Sequence, residues 1–349
     1  MVTGSVAFAG YRGRRVLVTG HTGFKGSWLC LWLQRLGAEV AGYSDAVPTD
    51  PSHFELLDLA ITDLRGDIAD EAALDAAVAR LRPDLIFHFA AQSLVRKAYA
   101  APLATFEANV MGTLALLEAA RKAGTHAVVV ATTDKVYRND ESGRPYREED
   151  ELGGLDPYSA SKACAEIAVR SWRDAIHASG ELLVATVRAG NVIGGGDWSE
   201  DRLLPDLMRA AFSGAPVTIR NPASTRPWQH VLDVLAGYLA IGARLLDGDR
   251  ASADAWNIGP TSAGISVGDI VAEVREQVPS LQVESEPNGP HEANLLQLDS
   301  SKIIDRLGWQ PRWEKEMLAR TIDWYRAYYE QGAVISGQQL ADYEAALAR

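Results

Sequence analysis

Short apolar runs alternate with segments of helical periodicity through the first half of this chain. The apolar runs, which have the pattern of buried strands, are RVLVT, EVAGYS, LIFHFA, VVVAT and LLVATVR at residues 15–19, 39–44, 85–90, 128–132 and 182–188. Apolar residues recur with a helical period at about 25–36, 102–122 and 157–178. Strands that alternate with helices predict an α/β fold, in which a doubly wound parallel sheet carries helices on both faces.

The second half of the chain is less regular than the first. Three consecutive glycines and several prolines divide it into shorter segments. Helical periodicity returns in three of these segments, at about 229–247, 301–308 and 314–330. We predict a sheet domain over residues 1–190, to which elements near 229–260 return, and a smaller domain over 191–349. The smaller domain is expected to lie over the strand ends and to bind the substrate.

Composition and charge narrow the class of protein. The 349 residues are 47% hydrophobic and 23% charged, and the net charge of −12 argues against nucleic acid or an anionic membrane as a partner. No run of about 18 apolar residues occurs, and the N-terminal residues lack the pattern of a signal peptide. The only cysteines, Cys30 and Cys164, are too few for a disulfide framework or a cysteine-rich metal site. We therefore expect a cytoplasmic protein without a bound metal.

A glycine-rich turn follows the first strand, where VLVTGHTGFKGSWL places Gly20, Gly23 and Gly26 at the junction of strand and helix. Glycines at such a junction let the backbone approach a pyrophosphate, whose charge the helix N-terminus favours. The spacing is GxxGxxG instead of the GxGxxG of typical dehydrogenases, and a turn that only ends the strand is the alternative. Its position after the first strand favours a dinucleotide site.

A dinucleotide site also requires an acidic residue after the second strand, to bind the adenosine ribose. Asp45 is the candidate for this role. Asp67 and Ile68, which follow the third strand, are candidates for flanking the adenine. These three residues would lie at the adenosine end of the bound dinucleotide.

The segment VVVATTDKVYRND ends a buried strand with three groups able to move protons, on Thr133, Asp134 and Lys135. Downstream, DPYSASKACAE places Tyr158 and Lys162 on one face of a helix, one turn apart. Positive charge beside a phenol, whose pKa is ordinarily about 10, allows the phenol to act as a base at neutral pH. The alternatives are an exposed helical pair for Tyr158 and Lys162, and a solvated loop pair for Asp134 and Lys135.

In this order the glycine turn, the strand that ends in Thr133 and the Tyr-x-x-x-Lys pair resemble the extended short-chain dehydrogenase/reductase family. The resemblance implies a Rossmann-type fold, NAD as cofactor and a tyrosinate base at Tyr158, whose pKa Lys162 and the nicotinamide cation would lower. It also implies that Thr133 hydrogen-bonds the substrate oxygen and that Gln92 lies beside the nicotinamide ribose. The residues expected to contact NAD are Gly20, Gly23, Phe24, Gly26, Asp45, Asp67, Ile68, Ala90, Ala91, Gln92, Tyr158 and Lys162.

Oxidation or epimerisation requires no acid or base beyond Tyr158, so Asp134 and Lys135 indicate a further step. Removal of water across C5 and C6 of a hexose needs a ketone at C4, which acidifies the C5 proton. A base then removes that proton while an acid protonates the leaving 6-hydroxyl group, and hydride returns to C6. Lys135 as the base and Asp134 as the acid fit these two roles, which predicts a dehydratase.

Further segments narrow the resemblance to nucleotide-sugar 4,6-dehydratases that act on CDP-glucose. The segments are HTGFKGSWL, AAQSLVRKAY, TTDKVY, DPYSASK, RAGNVIGGGDWSEDRLLPD, RNPASTRPWQHV, WNIGP and HEANLLQLDSSK. By this resemblance CDP-glucose is the substrate, Asn191 and Arg226 hold its diphosphate, and Asn257 assists. Arg188 and Arg202 would lie nearby, with surface salt bridges as the alternative for both. The full set expected to bind substrate is Arg96, Asn191, Arg188, Arg202, Arg226, Asn257 and His291.

Two other functions stay open from the sequence. A 4-epimerase or decarboxylase on the same scaffold would share the glycine turn and the Tyr158–Lys162 pair, but it leaves Asp134 and Lys135 unexplained. A redox-sensing regulator would use the fold only to bind the dinucleotide, and such proteins usually lack the Tyr/Lys pair.

The helices predicted over 102–122 and 157–178 carry more apolar residues than one core-facing stripe requires. Examples are Val110, Leu114, Leu117, Ile167 and Trp172. Two such helices from each of two subunits would form a four-helix contact, which predicts a homodimer or a dimer of dimers.

Overall fold

A seven-stranded sheet, in which every strand is parallel to its neighbours, lies at the centre of the chain. The computed structural model describes residues 6–140, 142–176, 182–219, 221–262, 264–285 and 296–349. In chain order the strands are β1 (Arg15–Thr19), β2 (Glu39–Ser44), β3 (Thr62–Arg65), β4 (Leu85–His88), β5 (Ala127–Ala131), β6 (Leu183–Ala189), β7 (Val192–Ile193), β8 (Val217–Ile219), β9 (Thr225–Arg226), β10 (Gln229–His230), β11 (Ala255–Ile258), β12 (Ile265–Ser266) and β13 (Val283–Ser285). The order in the main sheet is β11-β6-β5-β4-β1-β2-β3, so the predicted doubly wound Rossmann-type sheet is confirmed.

Helices cover both faces of the sheet. They are α1 (Phe24–Arg35), α2 (His53–Leu57), α3 (Glu71–Leu81), α4 (Val95–Ala100), α5 (Pro102–Phe106), α6 (Gly112–Ala123), α7 (Pro157–Ser171), α8 (Leu203–Ser213), α9 (Val231–Leu246), α10 (Val267–Gln277), α11 (Ser301–Leu307), α12 (Met317–Gln331) and α13 (Ser336–Leu347). Short 3₁₀ turns occupy Val6–Tyr11, Asp134–Val136 and Arg250–Ser252. Among the described helices, none combines the length and the hydropathy needed to cross a bilayer.

The helix predicted over 102–122 is interrupted. A π-helical turn, Glu107–Met111, joins α5 to α6, and another, Trp172–Ile176, follows α7. Single π turns inside helices often occur at functional sites. The first of them carries Asn109, whose side chain reaches the loop after β4 and the helix α7.

Each face of the sheet has its own core, because successive side chains of a strand point to opposite faces. Along β5, Val128 and Val130 pack with Leu74 of α3 and Leu116 of α6. Val129 points the other way, into the larger core that contains side chains of α1, α9 and α12. The strand ends are thereby held rigidly, and the loops that follow them carry the candidate site.

Three helices of the second half, α8, α10 and α13, were not predicted from the sequence. α8 contains Pro205 in its first turn, where a missing N–H is tolerated, so the proline does not break the helix. α13 is mostly polar but buries Leu340 and Tyr343, and the Tyr343 hydroxyl donates to Asp233 of α9. Strand β10 occupies the start of the helix predicted at 229–247, because His230 caps α9 by accepting the amide of Leu232.

Large apolar side chains are exposed on one group of helices. Tyr99, Leu103, Met111 and Ile167 are each 56% exposed or more. Leu117, in contrast, is fully buried in the core of its own chain. Leu117 therefore belongs to the stripe that faces the core, because the period of α6 turns it toward the sheet. Trp172 likewise packs against this core.

Candidate active site

The glycine turn between β1 and α1 brings two strand ends into backbone contact. Gly20 has a φ of +72°, and a Cβ there would lie 2.6 Å from the amide nitrogen of Ala90. A Cβ on Gly26 would lie 2.2 Å from the carbonyl oxygen of Gly20. Above Gly23, which precedes α1, a Cβ would approach only that carbonyl oxygen among the described atoms, at 3.4 Å. The turn is a backbone cradle beside a helix N-terminus, and it fits a dinucleotide pyrophosphate.

The loop after β2 presents Asp45 to solvent, where its carboxylate accepts the next backbone amide. Beneath it lies a row of three hydrogen-bonded side chains, which was not predicted from the sequence. The hydroxyl of Ser44 lies 3.0 Å from Nδ1 of His21, whose Nε2 lies 3.0 Å from the carboxylate of Asp63. Burial lowers the pKa of His21 despite the carboxylate. Gly42 in β2 is the sequence signal, because a Cβ there would lie 2.2 Å from the His21 ring.

Asp67 and Ile68 follow β3 at the same edge of the sheet. The carbonyl oxygen of Asp67 accepts the hydroxyl of Tyr43, which anchors this loop to β2. Ile68 is buried, and a Cβ on Gly112 of α6 would lie 2.9 Å from its side chain. The two residues therefore lie beside the loop that carries Asp45.

Ala90, Ala91 and Gln92 form the loop after β4. The Gln92 amide group donates to the carbonyl oxygen of Leu94 and to the hydroxyl of Thr105, and it accepts the amide of Leu94. Its side chain thus shapes its own loop. The expectation that Gln92 lies beside the nicotinamide ribose stays a prediction.

Asn109 is a further site residue that sequence reasoning missed. It accepts the backbone amide of Gln92 and donates to the carbonyl oxygen of Gln92 and to the hydroxyl of Ser161 in α7. Ser161 in turn donates to the carbonyl oxygen of Tyr158. Asn109 therefore joins the loop after β4 to the helix that carries the Tyr–Lys pair.

Helix α7 sets the positions of Tyr158 and Lys162. Asp156 caps its N-terminus by accepting the amide of the third residue that follows, so Tyr158 lies in the first turn. Lys162 lies one turn later, and its Nζ donates to the carbonyl oxygen of Ala131 at 3.1 Å. The hydroxyl of Tyr158 lies near Thr133, which acts to lower the pKa of Tyr158. The helix is attached to the end of β5 through Lys162.

The acid–base groups that follow β5 lie together. The hydroxyl of Thr133 donates to Oδ1 of Asp134 at 3.0 Å, and Nζ of Lys135 lies 3.9 Å from the same oxygen. Asp134 is buried, whereas the side chain of Lys135 is 39% exposed. Thr133 is therefore hydrogen-bonded to Asp134 and lies near Tyr158, and Lys135 lies beside the same carboxylate.

The protein's own contacts do not produce a tyrosinate at neutral pH. Burial raises the pKa of Tyr158 to about 12, although Thr133 and Arg202 act in the opposite direction. Burial lowers the pKa of Lys162 to about 7, and the positive charge of Lys25 lowers it further. The expected lowering of the Tyr158 pKa by Lys162 is therefore outweighed by burial in the protein alone.

Lys25, the second residue of α1, belongs to this electrostatic cluster and was missed by sequence reasoning. Burial lowers its pKa to about 8, and the charge of Arg202 lowers it further, while Asp134 and Asp197 act to raise it. Its Nζ lies 5.6 Å from the centroid of the Phe89 ring. A lysine inside the glycine turn was the available signal.

Two arginines, Arg96 and Arg202, form ion pairs with carboxylates of the loop before α8. Arg96 of α4 pairs with Asp201 at 2.8 Å, and Arg202 pairs with the buried carboxylate of Asp197 at 3.3 Å. Arg202 also acts on the pKa of Tyr158, which places its charge near the catalytic helix. The Arg96–Asp201 pair joins α4 to the loop before α8, whereas the Arg202–Asp197 pair lies within that loop.

Asn191 and Arg226 come from segments that follow β6 and precede β10. The side-chain oxygen of Asn191 is buried and has no hydrogen-bond partner among the described residues. A buried acceptor without a protein partner indicates that a bound ligand donates a hydrogen bond to it. The guanidinium of Arg226 donates to the carbonyl oxygen of Thr225 at 3.1 Å.

Arg188 and Asn257 are buried beneath the site. Arg188 donates to the carboxylate of Glu166 at 2.8 Å and to the hydroxyl of Tyr137 at 2.9 Å. Asn257 accepts from Tyr137 and donates to the carbonyl oxygens of Tyr146 and Asp299. These contacts correct the expectation of substrate binding by Arg188 and Asn257, because protein groups occupy their side chains.

His291 lies outside the described residues. Within the described part of the chain, no group of three or more His, Cys, Asp or Glu side chains is placed to hold a metal ion.

A dinucleotide cradle beside a Tyr158–Lys162 pair, at the carboxyl ends of parallel strands, defines a nicotinamide-dependent enzyme. A sequence model of the NAD dependent epimerase/dehydratase family matches residues 16–259, and the chain belongs to that family. NAD is accordingly its cofactor.

Particular relatives lie close in sequence and structure. The chain is 43% identical to the CDP-glucose 4,6-dehydratase of Salmonella typhimurium, with 97% of this chain and 98% of that protein covered. It is 30% identical to a dTDP-glucose 4,6-dehydratase of Streptomyces antibioticus, with 89% and 92% covered. The structure of a dTDP-glucose 4,6-dehydratase of Streptomyces venezuelae with NAD and TYD bound superposes with a TM-score of 0.79, at 27% identity, and covers 89% of this chain and 97% of that one.

Proposed function

We propose that this chain is an NAD-dependent hydro-lyase that converts CDP-glucose to CDP-4-dehydro-6-deoxyglucose. The observation that carries the proposal is the acid–base pair Asp134–Lys135, whose carboxylate is hydrogen-bonded to Thr133 close to Tyr158. An epimerase does not require this pair. The identity of 43% to a CDP-glucose 4,6-dehydratase supports the nucleotide.

The first step is oxidation at C4 of the glucose. Bound NAD would accept the hydride from C4, return it to C6 and place a positive charge beside Tyr158. Tyr158 removes the proton of the C4 hydroxyl group, and Thr133 orients the same oxygen. Lys162 adds positive charge when it is protonated, and its hydrogen bond to Ala131 holds the amine in place.

The second step is loss of water. Lys135 removes the C5 proton and Asp134 protonates the leaving 6-hydroxyl group. The hydroxyl of Thr133 lies near Tyr158 and donates to Asp134, so it is placed to pass the proton from the C4 hydroxyl group on to this carboxylate. Return of the C5 proton from Lys135, together with hydride at C6, completes the keto-deoxysugar and balances the release of one water.

From these roles we infer that one part of the chain carries the dinucleotide cradle and the acid–base groups, and that the other binds the substrate. The cradle and the acid–base groups lie within residues 1–190, with β11 and α9 returning to the sheet. The proposed diphosphate contacts Asn191 and Arg226 lie within 191–349, together with Arg202 and His291, whereas Arg96 lies in the first part. We therefore assign substrate binding mainly to the second part. As the compartment we propose a reducing cytoplasm.

The experiment that tests the function is turnover of a panel of glucose nucleotides by the purified protein with NAD. We expect CDP-glucose to give a 4-keto-6-deoxy product, with UDP-, dTDP- and GDP-glucose converted more slowly. NADH absorbance should not rise in proportion to product, because the hydride returns within each turnover. Accumulation of one NADH per product would identify a net dehydrogenase, and formation of CDP-galactose would identify an epimerase.

We also infer a homodimer or a dimer of dimers, formed by the exposed apolar face of the helices around α7. Met111 and Ile167 are exposed there, where monomeric proteins usually place polar residues. The free thiol of Cys164 is exposed one turn before Ile167. A second copy of the same face would cover all three side chains.

Light scattering should therefore give a mass of at least twice the 37.7 kDa of one chain. Ile167→Glu should shift the protein toward monomer and speed the labelling of Cys164 by a maleimide. Ala345→Glu, which adds the same charge to the exposed side of α13, is the control. A monomer for the unmodified chain at micromolar concentration contradicts the inference.

A further inference from the structure

A buried ion pair joins the catalytic helix to the strand beside β5. Glu166 lies on α7, one turn after Lys162, and Arg188 lies near the end of β6. Their charged groups are 2.8 Å apart, and the side chains are 2% and 5% exposed. Neither side chain is among the acid–base groups described above, although the charge of Glu166 acts to raise the pKa of Lys162.

This ion pair holds both ends of the segment that carries Thr133, Asp134 and Lys135. On one side, the hydroxyl of Thr132 donates to Oε1 of Glu166. On the other side, the guanidinium of Arg188 donates to the hydroxyl of Tyr137 at 2.9 Å. The residues before and after the catalytic segment are therefore bound to the two partners of one ion pair.

The catalytic segment has little backbone support of its own. It forms a short 3₁₀ turn, and the two hydrogen bonds donated by the amides of Val136 and Tyr137 are 3.3 and 3.5 Å long. Hydrogen bonds between backbone groups are ordinarily about 2.9–3.0 Å long. Backbone hydrogen bonds of 2.8 Å hold the ends of the segment, at Thr132 and Val136. The side-chain anchors of Thr132 and Tyr137 act together with these bonds.

Stability alone does not account for such a pair. Replacing a buried ion pair with apolar side chains of similar volume is often neutral or stabilising. This pair also receives a hydrogen bond from Thr186 and donates one to the carbonyl oxygen of Glu148, so its charged groups are fixed in one arrangement. What apolar side chains would not reproduce is the fixed spacing between α7 and the end of β5.

We propose that Glu166 and Arg188 form a clamp that holds Thr133, Asp134 and Lys135 in register with Tyr158 and Lys162. This inference rests on the proposed dehydratase function. Both are positioning residues, because they act through Thr132 and Tyr137 and do not touch the substrate. Acid, base and hydride chemistry must all address adjacent carbons of one sugar, and a misplacement of about 1 Å costs about 10²-fold in rate.

The direct test is Glu166→Gln, which keeps the size of the side chain but removes its charge. Its matched control is Glu151→Gln, because Glu151 pairs with Arg138 next to Tyr137 and is exposed. In single turnover with CDP-glucose, Glu166→Gln should slow loss of water by about 10-fold to 10²-fold. NADH should then accumulate transiently, while the affinity for NAD and the KM for CDP-glucose change by less than about threefold. Glu151→Gln should behave as the unmodified chain.

A double variant separates positioning from stability. Glu166→Leu with Arg188→Met removes both charges, and it should recover most of the unfolding temperature that Glu166→Gln loses. We expect the folded double variant to stay slow in loss of water. The ratio of NADH formation to water loss decides the question, because this ratio does not depend on the folded fraction. A wild-type ratio in the folded double variant overturns the clamp.

Hydrogen exchange of the free protein tests the clamp without any substrate. Glu166→Gln should raise exchange at residues 133–137 and leave the strand β4 unchanged, whereas an effect spread evenly over the domain would contradict positioning. Hydrogen exchange can be measured even if the unmodified chain does not convert CDP-glucose. Failure to convert CDP-glucose would refute the proposed function alone. Unchanged exchange at 133–137 refutes the clamp in either case.

Discussion

Replacement of Lys135 by Met is expected to stop the reaction after oxidation at C4. Mixed with CDP-glucose and NAD in a single turnover, the variant should show NADH absorbance that rises and persists, with little keto-deoxysugar. Loss of a general base is typically worth about 10²–10⁴ in rate, so the defect in water loss should fall in that range. Methionine has nearly the length of lysine and keeps the apolar part of the side chain, so packing of the loop should be preserved.

The reason lies in how the structure divides the acid–base groups. Thr133 lies near Tyr158, and Lys162 is held by its hydrogen bond to the carbonyl oxygen of Ala131, so the amine of Lys135 positions none of the three. Removal of this amine leaves the oxidation machinery intact. The amine lies 3.9 Å from the carboxylate of Asp134 and is partly exposed, so it has the freedom to reach a C5 proton.

The control for Lys135→Met is the same change at Lys315, an exposed lysine that precedes α12. It should leave both phases of the reaction as they are in the unmodified chain. Product formation at the unmodified rate by Lys135→Met would show that Lys135 is only a loop residue, and the dehydratase role assigned to it would be wrong.

The sheet and the positions of Tyr158 and Lys162 were accessible from sequence because they depend on local patterns. Buried strands are short apolar runs, and a helix places residues four apart on one face. The N-terminal strands at 15–19 and 39–44 were predicted with their observed bounds. Helix α13 was not, because its few buried side chains depend on contacts with α9 and α1.

Contacts between distant parts of the chain explain where the sequence misled. Arg188 suits a phosphate by its chemistry, yet its guanidinium is paired with Glu166 and hydrogen-bonded to Tyr137, more than fifty residues earlier in the chain. The side chain of Gln92 likewise meets a protein partner, because its amide turns toward Thr105. Residue type indicated the chemistry that each side chain favours, but only the fold decides which partner it meets.

The pKa values of Tyr158 and Lys162 also could not be predicted from the sequence. Positive charge from Lys162 was expected to dominate at Tyr158, but burial acts on both groups and in opposite directions on their pKa values. It raises that of Tyr158 to about 12 and lowers that of Lys162 to about 7. Depth of burial follows from how α7 packs on β5, which no local pattern reveals.

Replacement of Tyr158 by Phe is expected to block the reaction one step earlier than Lys135→Met. The phenyl ring fills the same space, but no group is left to take the proton of the C4 hydroxyl group. NADH formation in single turnover should fall by about 10²–10⁴, and no keto-deoxysugar should appear above that rate. The two variants thus separate oxidation from elimination by the presence or absence of the NADH signal.

Tyr238→Phe provides a matched control, because the Tyr238 hydroxyl is buried near Tyr158 and has no hydrogen-bond partner among the described residues. It removes a neighbouring buried hydroxyl group and should leave both steps unchanged. The pH dependence gives a second check. A base must be deprotonated to act, so NADH formation by the unmodified chain should rise with pH up to the pKa of Tyr158 in the complex, tenfold per unit at most. Tyr158→Phe should lose that rise, and a variant that keeps both the rate and the pH profile would remove Tyr158 from the role of base.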